Sequence, residues 1–214
     1  MYYSIAIDGP SASGKSSVSK LLAKKLNINH LSSGALYRAI AYYLIQNNIN
    51  ENLVENYLNQ IEIKVKFKNF HQLIFLNNED ITDKLQTNEI STLSSIISQN
   101  KAVREFVKEI QINVSENQNI IIDGRDIASV VLPNSKYKFF ITASIKARAK
   151  RRYLDYKKKI PLRKIEQDIK TRDERDVNRD ISPLIKTKDA ILINSSNLTL
   201  EETVDKILNY IKEN

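Results

Sequence analysis

The chain has 214 residues, 42% hydrophobic and 27% charged, which describes a soluble globular protein long enough for one sizeable core. With no cysteine and only two histidines, His30 and His71, it excludes disulfides, thiolate zinc sites and a histidine-rich metal centre. The 33 basic residues outnumber the 25 acidic ones, and the resulting charge of +8 favours a polyanion, either nucleotide phosphates or a nucleic-acid backbone.

In chain order, an apolar run from Ile5 to Ile7 stops at Asp8. Gly9-Pro10-Ser11-Ala12-Ser13-Gly14-Lys15-Ser16-Ser17 follows and matches the Gly-x-x-x-x-Gly-Lys-Ser phosphate-binding loop in its required place between a strand and a helix. Gly9 and Gly14 permit positive φ and close approach of backbone N–H groups to phosphate oxygens, and the next helix aims its positive end there. Lys15 is expected to reach the outer phosphates of ATP, and the Ser16 hydroxyl to ligand Mg²⁺. Val18, Leu21, Leu22 and Leu26 recur at helical spacing before Asn27, a stop signal. His30-Leu31 is a short strand, and Ser32-Ser33-Gly34 offers caps for a helix carrying Leu36, Ile40, Tyr43 and Leu44. A weaker helix is expected over Glu51 to Asn59.

Ile61 to Phe67 alternates apolar and polar residues, and Gln72 to Leu76 is a second β-type segment; together they predict a hairpin inserted outside the main sheet. Helices are expected over Thr87 to Ile97 and on the stripe Val103, Phe106, Val107, Ile110 and Val114. Asn119 to Asp123 is a buried strand ending in a carboxylate, followed by Gly124-Arg125-Asp126. Lys138 to Ile141 is another strand. A basic helix from about Ser144 bears Arg148, Arg151 and Arg152 and runs to a turn at Lys157-Lys158-Lys159, with Pro161 opening the next helix. That helix becomes almost wholly charged from Thr171 to Asp180, and a last strand, Ala190 to Ile193, and a packed helix finish the chain.

Alternating strands and helices predict an α/β fold: a parallel sheet of about five strands with helices on both faces and the chemistry at the carboxyl ends of the strands. Asp8, Ser33, Asp123 and Asp126 follow strand ends and are expected on one edge. Positions 172, 176 and 179 are spaced i, i+4, i+7, so Arg172, Asp176 and Arg179 are expected on one helical face, where charge replaces the apolar stripe. Several fixed cations and Mg²⁺ suit phosphoryl transfer between two anions, and the lack of an obvious His or Glu base suits an acceptor that is already an ionised phosphate.

Gly9 to Ser17, Ser33-Gly-Ala-Leu-Tyr-Arg38, Asp123-Gly-Arg-Asp126 and Arg172-Asp-Glu-Arg-Asp-Val-Asn-Arg179, in this order over nearly the whole chain, resemble the motifs of the bacterial cytidylate kinase family. The resemblance implies an adenylate-kinase-like P-loop core, 1–214, with an acceptor-binding insertion at about 38–100 and a lid at about 148–165. It implies transfer of the ATP γ-phosphoryl group to CMP or dCMP. Carried over by motif, Arg38, Arg125 and Arg179 hold the acceptor phosphate, and Ser33 and Tyr37 line its pocket. Arg172 and Asp176 contact the ribose, and Ser95, Arg104 and Asp126 face the base. A carboxylate at Asp126 can accept from the cytosine amine, whereas uracil would present a second acceptor. Arg148, Arg151 and Arg152 are lid candidates, Arg151 being taken as catalytic with Lys15, Arg125 and Arg179. One departure is Ser32, where the family has Asp; serine is still expected to cap the helix.

Rival expectations are a kinase preferring UMP or AMP, and a P-loop switch or nucleic-acid-binding ATPase. Asn100-Lys101-Ala102-Val103 lacks the guanine-reading Asn-Lys-x-Asp pattern, and the basic residues are not interleaved with aromatics, which makes nucleic acid an unfavoured partner. No apolar run approaches a membrane span and no basic leader with a cleavage site is visible, so a cytoplasmic protein is expected; a monomer is expected as well.

Overall fold

The computed structural model describes residues 2–155 and 159–213. Its strands are β1 (Ser4–Asp8), β2 (Asn29–Ser32), β3 (Ile63–Lys68), β4 (His71–Leu76), β5 (Glu79–Asp80), β6 (Ile120–Gly124), β7 (Tyr137–Thr142) and β8 (Ile191–Asn194). The α-helices are α1 (Lys15–Leu26), α2 (Ser33–Gln46), α3 (Asn88–Ile97), α4 (Lys101–Ser115), α5 (Ile145–Asp155), α6 (Leu162–Asn178) and α7 (Leu200–Glu213). The weak helix after α2 is a 3₁₀ helix, Glu51–Gln60, and a second one, Thr82–Gln86, precedes α3.

The sheet order is β3-β4-β2-β6-β1-β7-β8, with β5 paired to β4. The five strands from β2 to β8 are mutually parallel, as expected. The hairpin β3–β4 is not a separate insertion: β4 joins the edge of the main sheet beside β2 through the pair His30↔His71. Alternation explains the layers. Ala6, Leu31, Ile120 and Ile122 face one core with Leu36, Ile40, Leu44, Val103 and Val107, while Ile5, Ile7, Ile121 and Phe139 face another with Val18, Leu22, Val204 and Ile207. Both faces are covered, which is why these strands read as unbroken apolar runs. A third, small cluster of Ala149, Ile165 and Ile169 joins α5 to α6.

Local signals place the ends. Asn27 caps α1 in the left-handed region at φ 56°, and Asn100 and Thr87 cap α4 and α3 with their side chains. Ser32 stands at the N-cap of α2 but makes no side-chain cap bond; its hydroxyl donates to Asp123 Oδ2 at 3.5 Å instead. Arg179 lies one residue beyond α6 in extended backbone, so the helical count from Arg172 ends at Asn178. The parallel register sets Ser32 opposite Asp123 and Asp8 opposite Gly124, bringing the strand-end carboxylates to one edge.

Candidate active site

At that edge lies a cleft of about 920 Å³, and every sequence-expected site residue lines it except Gly9 and Pro10. Those two form the back of the loop: Gly9 has φ 156°, and a Cβ there would stand 2.1 Å from the Ile141 carbonyl oxygen, so no other residue fits. Gly14, at φ 90°, opens α1.

The loop is braced from behind by α5 and α6. Arg148 is buried; it donates to the carbonyl oxygens of Ala143 at 2.8 Å and Ser11 at 2.9 Å and pairs with Asp173. Asp173 in turn accepts from the Ser11 backbone N–H at 2.9 Å. Arg148 is therefore a strut rather than a lid side chain. Arg151 donates to the Ser13 carbonyl at 3.1 Å and to Ser195 Oγ at 3.1 Å, and Arg152 to Ser11 Oγ at 3.4 Å. The expected lid includes Lys157 and Lys158, which lie outside the described residues.

Lys15 is buried and donates from Nζ to the Pro10 carbonyl at 3.1 Å. Burial pushes its ammonium down to about 7, and Arg125 nearby adds to the effect. The Ser16 hydroxyl donates to Asp123 Oδ2 at 2.7 Å. A hydroxyl and a carboxylate so close are hard oxygen donors suited to Mg²⁺, which keeps several waters and takes few protein ligands. No group of three or more His, Cys, Asp or Glu able to hold a metal occurs among the described residues. Burial alone would raise the Asp123 carboxyl, but the His30 ring, Lys15 and Ser16 hold it below its ordinary value.

Opposite the loop, acidic and basic side chains interlock. Arg125 Nε donates to Asp176 Oδ2 at 2.7 Å, and Arg179 Nη1 lies 3.9 Å from Asp176 Oδ1. Arg104 pairs with Asp126, donates to the Ser98 carbonyl at 3.0 Å and lies 5.8 Å from the centre of the Tyr37 ring. Burial pushes the Tyr37 phenol up to about 12, so it stays a neutral donor. Arg172 donates to Ser91 Oγ at 3.3 Å and Arg175 to Ser95 Oγ at 2.9 Å, so Ser95 faces inward. Ser33 Oγ donates to the Asp123 carbonyl at 2.6 Å, and Arg38 donates to Gln86 at 3.2 Å. Burial, then the neighbouring Arg125, pushes Arg172 down to about 9. That is an excess of buried positive charge. Arg104 Nε, Arg172 Nε and Arg179 Nη2 are buried with no hydrogen-bond partner among the described residues. Such donors suit an anion.

Sequence reasoning missed several residues. Asp123, Asp173 and Arg175 stand inside the motifs but had no role of their own there, and His30 reads only as an ordinary histidine. Ser195, Leu198, Thr199 and Leu200 line the far end of the cleft with no motif to mark them.

A family model described as "Cytidylate kinase" matches residues 5–213. The chain is 38% identical over 216 residues to the cytidylate kinase of Thermotoga maritima, covering 100% of this chain and 98% of the relative. It is 42% identical over 210 residues to that of Caldicellulosiruptor saccharolyticus, with 95% and 93% covered. Among solved structures, shikimate kinase from Bacteroides thetaiotaomicron shares the fold with a TM-score of 0.51 at 12% identity, covering 98% of each chain.

Proposed function

The chain belongs to the cytidylate kinase family, and from that membership we propose that its cleft transfers the γ-phosphoryl group of ATP to CMP or dCMP, giving CDP or dCDP and ADP. The single observation that carries the site assignment is that Arg38, Arg125, Arg172 and Arg179 line the same cleft as the phosphate loop.

In this scheme the backbone N–H groups of residues 13–17 and Lys15 hold the ATP phosphates. Arg38, Arg125 and Arg179 hold the acceptor phosphate opposite them, which fixes an in-line approach. The acceptor oxygen is already ionised, so no side chain needs to remove a proton from it. Ser16 and Asp123 would hold Mg²⁺, which when bound neutralises phosphate charge and orients the phosphates. Arg172 and Asp176 contact the ribose. Asp126 accepts from the cytosine amine while Arg104 and Ser95 donate to the ring acceptors. The existing Arg104–Asp126 pair supports this, because it sets the carboxylate and the guanidinium side by side, with Arg104 5.8 Å from the centre of the Tyr37 ring. Arg151, beyond the Arg148 strut and now on the Ser13 carbonyl, would shift to the transferring group when the lid closes and excludes water. A cytoplasmic monomer is the setting proposed for this chain.

ADP release measured with CMP, dCMP, UMP and AMP at one concentration tests the assignment. CMP and dCMP should turn over fastest, and Asp126→Asn should narrow the margin over UMP; a native preference for UMP would remove Asp126 from its role. Arg179→Ala should lower turnover on the order of 100-fold with little change in ATP affinity.

A further inference from the structure

We propose that His30 is a positioning residue that sets the orientation of the Asp123 carboxylate and so tunes the affinity of the Ser16–Asp123 pair for a divalent cation. The two side chains are only 1% and 2% exposed, and His30 Nε2 lies 2.6 Å from Asp123 Oδ1. The other carboxylate oxygen, Oδ2, accepts from Ser16 at 2.7 Å and from Ser32 at 3.5 Å. The two oxygens thus have separate duties. An ionised carboxylate can only accept, so the ring nitrogen facing it carries the proton, and Oδ1 is committed to the ring while Oδ2 stays turned toward the phosphate loop.

The sheet makes this contact possible. His30 in β2 is paired in register with Ile121 and Ser32 with Asp123, so the imidazole reaches along the sheet toward the strand end. Burial shields the contact from bulk solvent. Without the ring, Oδ1 would be a buried acceptor lacking a partner, and the carboxylate would turn to relieve it. Outer partners of this kind, which orient the groups that touch a metal, change metal affinity 10- to 100-fold when removed. His30 touches neither nucleotide in the arrangement proposed above; it acts through Asp123.

The inference rests on the proposed metal pair, so the experiment separates the two. Mn²⁺ binding to the ATP complex is followed by the loss of the free-ion electron paramagnetic resonance signal, alongside ATP affinity measured in chelator. Gln at position 30 puts its amide nitrogen near the place of Nε2, whereas Asn falls short by about one bond, and Leu offers no donor. His30→Leu and His30→Asn should weaken Mn²⁺ binding about 10- to 100-fold and raise the Mg²⁺ concentration needed for half-maximal turnover equally. ATP affinity in chelator should stay the same, and His30→Gln should restore most of the loss. If His30→Leu does not fold, His30→Asn and His30→Gln still give the comparison. Native Mn²⁺ affinity in folded His30→Asn, with Asp123→Asn defective, overturns the role of His30 and leaves the metal pair standing. Native affinity in Asp123→Asn overturns the pair itself, and the inference with it.

Discussion

A lysine whose ammonium is buried among arginines holds its proton weakly, and Lys15 is such a lysine. Burial is the main cause of its descent to about 7, Arg125 the next, and Asp123 acts against both. Phosphates entering the loop reverse that balance by bringing negative charge to the ammonium. ATP binding above pH 7 should therefore take up a proton, and affinity should fall by up to about tenfold per pH unit from there. Calorimetry at pH 8 in buffers of different ionisation enthalpy measures the uptake; a binding heat independent of buffer would exclude it. The sign for folding follows from the same group. The unfolded chain keeps the lysine proton up to 10.5 while the fold releases it at about 7, so the unfolded state binds more protons in between. Stability contributed by this residue should rise with pH across that window.

Among the elements, α6 has the widest set of duties. Its Arg172 and Asp176 line the side proposed for the acceptor, its Arg175 donates to Ser95 there, and its Asp173 holds both the Ser11 N–H and Arg148 behind the phosphate loop. Asp173→Ala would leave Arg148 buried without its carboxylate and free a backbone donor in the loop. A loss of about 3 kcal/mol in urea unfolding and a rise in KM for ATP are expected; a native KM for ATP would show that the loop holds its shape unaided. The same helix shows what a sequence can and cannot disclose. Its charge run marked a functional face, because packing alone would not put Asp176 where an apolar residue belongs. The run did not show that Arg179 leaves the helix, since a change of backbone direction at Ser182, whose carbonyl accepts from Arg179 Nε at 2.7 Å, has no periodic signature. Ser91, Ser94, Ser95 and Ser98 form a buried polar lining on α3 and its end, yet serine is common on any helix surface and signals nothing by itself. The hairpin was legible from its alternation, but the single pair that docks it to β2 was not, because strand order depends on tertiary contact.

At the scale of the whole molecule, one sheet separates two large cores, and the two nucleotide sites proposed above divide between them. The core containing α2, α3, α4 and the hairpin packs Leu85 and positions Gln86, the partner of Arg38, on the acceptor side. The core containing α1, α7, β7 and β8 packs Ile207 behind the donor side. Leu85 is 2% exposed and Ile207 0%, so truncation of either to Ala should cost about 2–5 kcal/mol. The two losses should differ in what they do to binding. Leu85→Ala loosens the 3₁₀ helix Thr82–Gln86 that supports Arg38 and should raise KM for CMP several-fold with KM for ATP unchanged. Ile207→Ala, with a stability cost in the same range, should leave KM for CMP alone, because among the described residues none proposed for the acceptor lies on α7. Steady-state kinetics on both variants, at a temperature where each is folded, decides it: parallel increases for CMP would mean that the sheet transmits strain between the cores rather than isolating one nucleotide site from the other.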